Sequence, residues 1–207
     1  MWFLTGTGTG VGKTYAACLI LRALRRAGLT AAGFKPICCG DRDDAELLHA
    51  AGDPSIPLDQ VNPVWFRTPA APYTAALVEN RLPDLDLIRE TFRTLRTRCD
   101  SVLVEGAGGW LVPITRELSF ADLAAEFGLP VAVVVPNQLG AINHTLLTVE
   151  SIRSRNLQCA GLVLNLPPDA PDDVASRTNR AILEDLTGLP ILLEIGPHQR
   201  EVELALA

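Results

Sequence analysis

Gly6-Thr7-Gly8-Thr9-Gly10-Val11-Gly12-Lys13-Thr14 follows the short apolar run Trp2-Phe3-Leu4 and precedes a helical pattern from Tyr15 to Ala27. A strand, a glycine loop and a helix in that order form a phosphate cradle. Glycines allow positive φ and let N–H groups converge on an anion, and the following helix aims its positive end at the same point. Lys13 adds a mobile charge, and the Thr14 hydroxyl is a Mg²⁺ ligand candidate. The usual G-x-x-x-x-G-K-[ST] spacing asks for glycine at position 7, where this chain has Thr7 and an early Gly6. The stretch therefore reads as a P-loop variant, and the alternative is a plain glycine turn before a helix.

Working outward, apolar runs alternate with helical patterns. Strands are expected near 2–5, 31–35, 101–105, 130–135, 159–165 and 190–195. Helices are expected near 13–27, 43–51, 84–98, 119–127, 141–155 and 172–187. Val131-Ala132-Val133-Val134-Val135 is apolar on both faces, as a helix-covered parallel strand requires. The expected fold is α/β: a doubly wound, mostly parallel sheet with helices on both faces, P-loop NTPase-like, in a single domain over 1–207. Segment 53–83 carries six prolines and no clear period, which predicts a functional loop or a partner surface.

Composition narrows the function. The 207 residues are 48% hydrophobic, enough for a real core. With 18 Lys and Arg against 24 Asp and Glu, the net charge is −6. No basic run, leader-like segment or spanning segment stands out, so neither nucleic acid nor membrane is an expected partner. The five cysteines form no C-x-x-C pair, which fits reduced thiols and a cytoplasmic location. Cys38-Cys39 as a redox or metal pair lacks partnering ligands nearby in sequence.

Most candidate residues sit at strand ends or helix starts, where ligands collect in such sheets. Lys35, before Pro36, projects into the crevice or else snorkels to solvent. Asp43 and Glu46 have capping-box spacing, which leaves Asp44 free as a metal ligand. Glu105 ends an apolar strand before Gly106-Ala107-Gly108-Gly109, the usual place for a metal-holding acid. Asn165 offers a donor and an acceptor to an adenine edge, or simply caps. Gly140-Ala141-Ile142-Asn143-His144 opens a helix whose N–H groups suit a carboxylate. His144 is a general-base candidate or a structural histidine.

Together these motifs resemble the dethiobiotin synthetase family. The matching pieces are the glycine loop, Lys35-Pro36, Asp44-Ala45, Asn62-Pro63, Val104-Glu105-Gly106-Ala107-Gly108-Gly109-Trp110, Leu139 to His144 and Ala160 to Asn165. The glycine loop alone is widely shared. The other pieces in one chain are far more specific, and the early Gly6 is itself a trait of the family. The resemblance implies an ATP-dependent cyclo-ligase of biotin synthesis that joins 7,8-diaminononanoate and CO₂, or bicarbonate, into dethiobiotin. By the same resemblance Gly8, Thr9, Gly10, Val11, Gly12, Lys13, Thr14, Glu105, Gly108 and Asn165 bind nucleotide. Lys13 and Lys35 are catalytic, and Thr14, Asp44 and Glu105 hold Mg²⁺. Thr9, Lys35, Cys39 and the helix start Gly140, Ala141, Ile142 and Asn143 take substrate, the last four from the neighbouring subunit of a homodimer.

Three departures stand out. Gly10 replaces an acidic residue of some relatives, Cys39 replaces an expected Ser or Thr, and the stretch after Gly196-Pro197 is short for the adenine site's outer wall. A ParA/MinD-like switch ATPase is the rival reading. Its signature lysine, five residues before the P-loop lysine, is absent, because that position is Gly8. The stretch from Glu201 to Ala207 is also too short for a membrane helix. Cobyrinate-type amide synthases need a glutaminase domain for which the chain has no room.

Overall fold

The computed structural model describes residues 1–168 and 173–204. Eight strands and eight helices follow one another among them. They are β1 (Trp2–Gly6), α1 (Lys13–Arg26), β2 (Ala31–Phe34), β3 (Ile37–Cys39), α2 (Asp43–Ala51), α3 (Leu58–Val61), β4 (Val64–Phe66) and α4 (Pro72–Val78). Then come α5 (Leu85–Arg98), β5 (Ser101–Glu105), α6 (Phe120–Phe127), β6 (Val131–Pro136), α7 (Ala141–Ser154), β7 (Cys159–Asn165), α8 (Val174–Thr187) and β8 (Ile191–Ile195).

The main sheet has six strands in the order β2-β5-β1-β6-β7-β8. All of its pairs are parallel, for example Leu4 with Glu105 and Gly6 with Val134. The doubly wound P-loop fold expected from sequence is therefore present, with a main sheet that is parallel throughout. From β1 the chain goes to the edge strand β2, returns inward to β5 and then crosses to β6 on the other side, so β1 lies at the switch point where such sheets bind ligands. The carboxyl ends of β1, β2, β5 and β7 deliver Gly6, Lys35, Glu105 and Asn165 to one edge.

Each boundary has a local cause. Gly28 takes φ +84 just past the α1 C-cap, a conformation that L side chains resist. Asp84 accepts from Leu87 N at α5, and Ser119 with Asp122 forms a capping box at α6. The helix expected from 172 is observed as Val174–Thr187, and residue 172 lies outside the described residues.

Two expectations need correction. Segment 53–83 is not irregular, since it contains α3, β4 and α4, and β4 pairs with β3 in a separate two-stranded sheet. Elements of three to seven residues are too short to show a period. Asp43 does not cap α2, because Arg42 holds the N-cap position without a side-chain cap bond and Asp43 is already in the first turn. There it still complements the helix dipole.

The side wall of the sheet is aromatic. Phe92 of α5 stacks on Phe127 of α6 with ring centroids 3.9 Å apart, and Phe34 of β2 stacks on Phe92 at 6.1 Å. Phe92→Ala removes the middle ring of this trio, and an unfolding cost of about 3–5 kcal/mol is expected from chemical denaturation. A cost below about 1 kcal/mol would show that the trio is not a packing element.

Candidate functional site

The loop between β1 and α1 is shaped by its glycines and by what packs behind them. Gly10 and Gly12 have φ +74 and +92. Gly6 lies where a Cβ would come within 2.6 Å of Val11 Cγ2 and 3.2 Å of the Lys13 side chain. Thr7 has no positive φ and donates its N–H to Val134 O at 3.1 Å. Close packing therefore requires glycine at position 6, whereas position 7 does not. A Cβ on Gly12 would run into the Asn165 amide, whose Nδ2 donates to Val11 O at 3.0 Å. The Asn165 side chain thus braces the loop from behind, a role its sequence position did not reveal.

A cavity of about 680 Å³ opens beside this loop. Thr9, Gly10, Gly12, Lys13, Thr14, Lys35, Cys39, Asp44 and Gly108 line it, all of them candidates from the sequence. Tyr15, Cys38 and the stretch Pro69–Pro72 are among the other residues of the wall. Gly8, Val11, Glu105 and Asn165 are not among its lining residues. Gly108 has φ +66, and the loop after Glu105 packs on the glycine loop, with an added Gly109 Cβ lying 3.6 Å from Gly8 Cα.

The polar centre joins four elements. Lys35 Nζ donates to Asp44 Oδ2 at 2.7 Å and to Glu105 Oε1 at 2.5 Å. Thr14 Oγ1 lies 2.7 Å from Asp44 Oδ1 and 2.8 Å from Glu105 Oε1, so one hydroxyl proton serves two carboxylates. Glu105 is fully buried, and its Oε2 has no hydrogen-bond partner among the described residues. Oxygen-only donors, with one orphaned, fit a hard dication such as Mg²⁺ that keeps several of its waters. Among the described residues no group of three or more His, Cys, Asp or Glu side chains gathers, so a closed protein cage is not formed.

Burial alone would lower the Lys35 pKa, but Glu105 and Asp44 outweigh it and hold the ammonium well above its ordinary value. Burial pushes Asp44 upward, and Lys35, Thr14 and Lys13 more than reverse that, leaving it below the usual carboxylate range. Lys13 donates to Gly8 O at 2.8 Å. Burial pulls its pKa down to about 8, helped by Lys35 and opposed by Glu105 and Asp44.

Other residues support this centre without touching it. Asn62 is fully buried, and its Nδ2 donates to Lys35 O and Val64 O, both at 2.9 Å. Arg42 Nε donates to Asn62 Oδ1 at 2.9 Å. Asn62-Pro63 drew notice only as part of the resemblance, and its bracing of Lys35 spans 27 residues with no periodic sign. Cys39 is half-buried, and burial, with Glu79, pushes its thiol up to about 11. All five cysteines are free. Tyr15 Oη donates to Gln199 O, and Arg26 donates to Val202 O at 2.8 Å, so residues 199–202 lie against α1. Residues 205–207, part of the C-terminal stretch considered above, lie outside the described residues.

Gly140, Ala141, Ile142 and Asn143 do not line this cavity. Gly140 has φ +91 at the N-cap of α7, and Asn143 and His144 are exposed. Leu139 and Leu147 beside them are 83% and 59% exposed.

A family profile described as an AAA domain matches residues 2–203. The ATP-dependent dethiobiotin synthetase BioD of Akkermansia muciniphila is 48% identical over 194 residues, covering 94% of this chain and 91% of that protein. Its namesake in Anaeromyxobacter dehalogenans strain 2CP-1 is 46% identical, covering 97% and 94% respectively. The chain belongs to the dethiobiotin synthetase family. Solved structures add the fold alone. A ParA family ATPase from Chlorobium tepidum TLS matches with TM-score 0.56 at 14% identity, over 96% of this chain and 85% of that one. MinD from Pyrococcus horikoshii, complexed with Mg-ADP, matches at 0.54 and 15%, over 94% and 81%. The synthetase-family chain thus shares its fold with a ParA family ATPase and with MinD, and position 8, where the rival reading asks for lysine, is glycine.

Lys13 gives this site a pH dependence. A triphosphate binds the ammonium form, and in the free protein that form is lost above about pH 8. Affinity for an ATP analogue should be about halved between pH 7 and 8 and then weaken further, by at most about tenfold per pH unit. Titration calorimetry across pH 6.5–9.5 measures this, and constant affinity to pH 9.5 contradicts it.

Proposed function

We propose that this chain is an ATP-dependent dethiobiotin synthetase. It carboxylates 7,8-diaminononanoate and closes the ureido ring, releasing ADP and phosphate. The observation that carries the reading is the Lys35–Glu105–Asp44–Thr14 cluster at the mouth of a P-loop, in a chain 48% identical to a protein of that name.

One substrate amine takes up CO₂ as a carbamate. A carbamate oxygen attacks the γ-phosphorus and ADP leaves, giving a carbamic–phosphoric anhydride. The second amine attacks the carbamoyl carbon, phosphate leaves, and the ring nitrogen gives up its extra proton to solvent. Phosphorylation is needed because a bare carbamate is a poor electrophile.

The protein's part is positioning and electrostatics. N–H groups from Gly8 to Gly12, with Gly108 close by, receive the phosphates. Lys13, freed from Gly8 O, follows charge onto the γ-phosphoryl group. Lys35, whose ammonium is held charged, offsets charge on the carbamate and the transferring phosphoryl. Thr14, Asp44 and Glu105 hold Mg²⁺, which neutralises phosphate charge when bound. Asn165, whose Nδ2 grips Val11 O, offers its Oδ1 as the acceptor for the adenine amino group. Thr9 and Cys39 face the diamine, Cys39 as a neutral, weak donor.

The substrate carboxylate goes to the Gly140–Asn143 turn of a second copy, and exposed Leu139 and Leu147 favour burying that face in a homodimer. Residues 1–207 act as one catalytic domain in the cytoplasm. No described helix is long and apolar enough to cross a membrane, and the acidic chain has no need of nucleic acid.

Incubation with the diamine, bicarbonate and MgATP should yield dethiobiotin by mass spectrometry, with ATP turnover that needs both co-substrates. ATP hydrolysis that is substantial without the diamine and unchanged on adding it would sink the reading. Glu105→Gln should lower ring closure by at least about 10²-fold, the scale of losing a transition-state electrostatic partner. His144→Ala, an exposed position away from the cavity, should stay within about twofold. Wild-type rates in Glu105→Gln would remove that residue from the metal site.

A further inference from the structure

Asn179 of α8 is only 2% exposed. A buried primary amide is costly unless its donors are satisfied, and both N–H groups of this one are used. Nδ2 donates to Asn137 Oδ1 at 3.0 Å and to Gln138 O at 3.1 Å. Asn137 Nδ2 in turn donates to Ser176 O at 2.9 Å. Two amides thus fasten α8 to the four-residue connection between β6 and α7.

The bonds fall on a telling atom. Gln138 O also accepts from Ala141 N at 3.1 Å, the bond that closes the turn from which α7 starts. On the opposite side Asn137 N donates to Asn165 O at 2.8 Å. The connection is therefore fixed from both sides although Gln138, Leu139 and Gly140 are exposed. Core packing does not demand this, because Leu183, one turn further along α8, is fully buried among apolar neighbours without polar help. What the amides hold is the direction of the first turn of α7, where Ala141 N bonds Gln138 O and the N–H groups of Ile142 and Asn143 follow.

We propose that Asn179, acting through Asn137 and Gln138 O, is a positioning residue for the first turn of α7, and that it sets the affinity for the diamine's carboxylate. This rests on the reading above in which that turn receives the carboxylate in a neighbouring subunit. Without the amide the turn keeps its sequence and its dipole, but its N–H groups no longer converge. The phosphoryl centre at β1, β2 and β5 is untouched.

The test compares 7,8-diaminononanoate with the same diamine lacking its carboxylate, using the full chain, bicarbonate and MgATP. In Asn179→Leu, kcat/KM for the amino acid should fall about tenfold through KM, the scale of lost hydrogen bonds to a charged group. The descarboxy diamine and the KM for ATP should stay within about twofold. Equal losses on both diamines, or no loss on either, overturn the proposal. Should Asn179→Leu not fold, Asn137→Ala breaks the same link from the half-buried loop side and should show the same selective loss. Absence of dethiobiotin from the wild-type protein sinks the synthetase reading instead. Amide hydrogen exchange over 137–143 then decides: faster exchange in Asn179→Leu upholds the positioning role, and unchanged exchange ends it.

Discussion

A lysine ammonium buried between two carboxylates organises this protein. Lys35 stands just past β2, Glu105 ends β5, Asp44 opens α2, and Thr14 from α1 closes the ring. The Lys35 and Glu105 side chains are 3% and 0% exposed. Charges this far from water persist only when matched, and removing one partner of such a pair typically costs about 3–5 kcal/mol. Each charge therefore fixes the strand or helix that carries it. The neighbouring glycine loop inherits that rigidity, since the Glu105–Gly109 turn lies against it. With Lys13 counted, two positive and two negative groups share the cleft. A polyanion and a dication that enter together then meet charges of both signs already in place.

The parts legible in the sequence were those with a period or a backbone demand. Val131–Val135 reads as a buried strand because both faces are apolar. Gly12 reads as a loop residue because only glycine takes its φ of +92 beside Asn165. Lys35, Asp44 and Glu105 could be proposed because each ends or begins a recognisable element. The β3–β4 pair was hidden because three-residue strands carry no alternation, so 53–83 looked like a loop. Asn62, Arg42 and Asn179 were hidden for another reason. Each works through side-chain bonds to backbone or amide groups far away in sequence, and such bonds leave no local pattern. Asn165 was half legible: its place at a strand end pointed to a ligand, but its grip on Val11 O belongs to the folded chain alone.

The likeness to ParA and MinD proteins at 14% and 15% identity shows how little the sheet says about chemistry. The sheet constrains where a phosphoryl group can sit, and the loops around it decide what can meet it there.

The order of strands also governs how the molecule comes into being. β1 is made before both of its partners, β5 and β6, with Leu4 beside Glu105 and Phe3 beside Val131. The glycine loop consequently emerges from the ribosome without the strands that flatten its floor, and must wait for well over half of the chain. Until then Phe3 and Leu4, fully buried in the finished protein, are exposed apolar residues on an unpaired edge. Closing such long loops before any parallel pairing is rewarded makes folding slow, and the nucleotide can first be captured only after that late step.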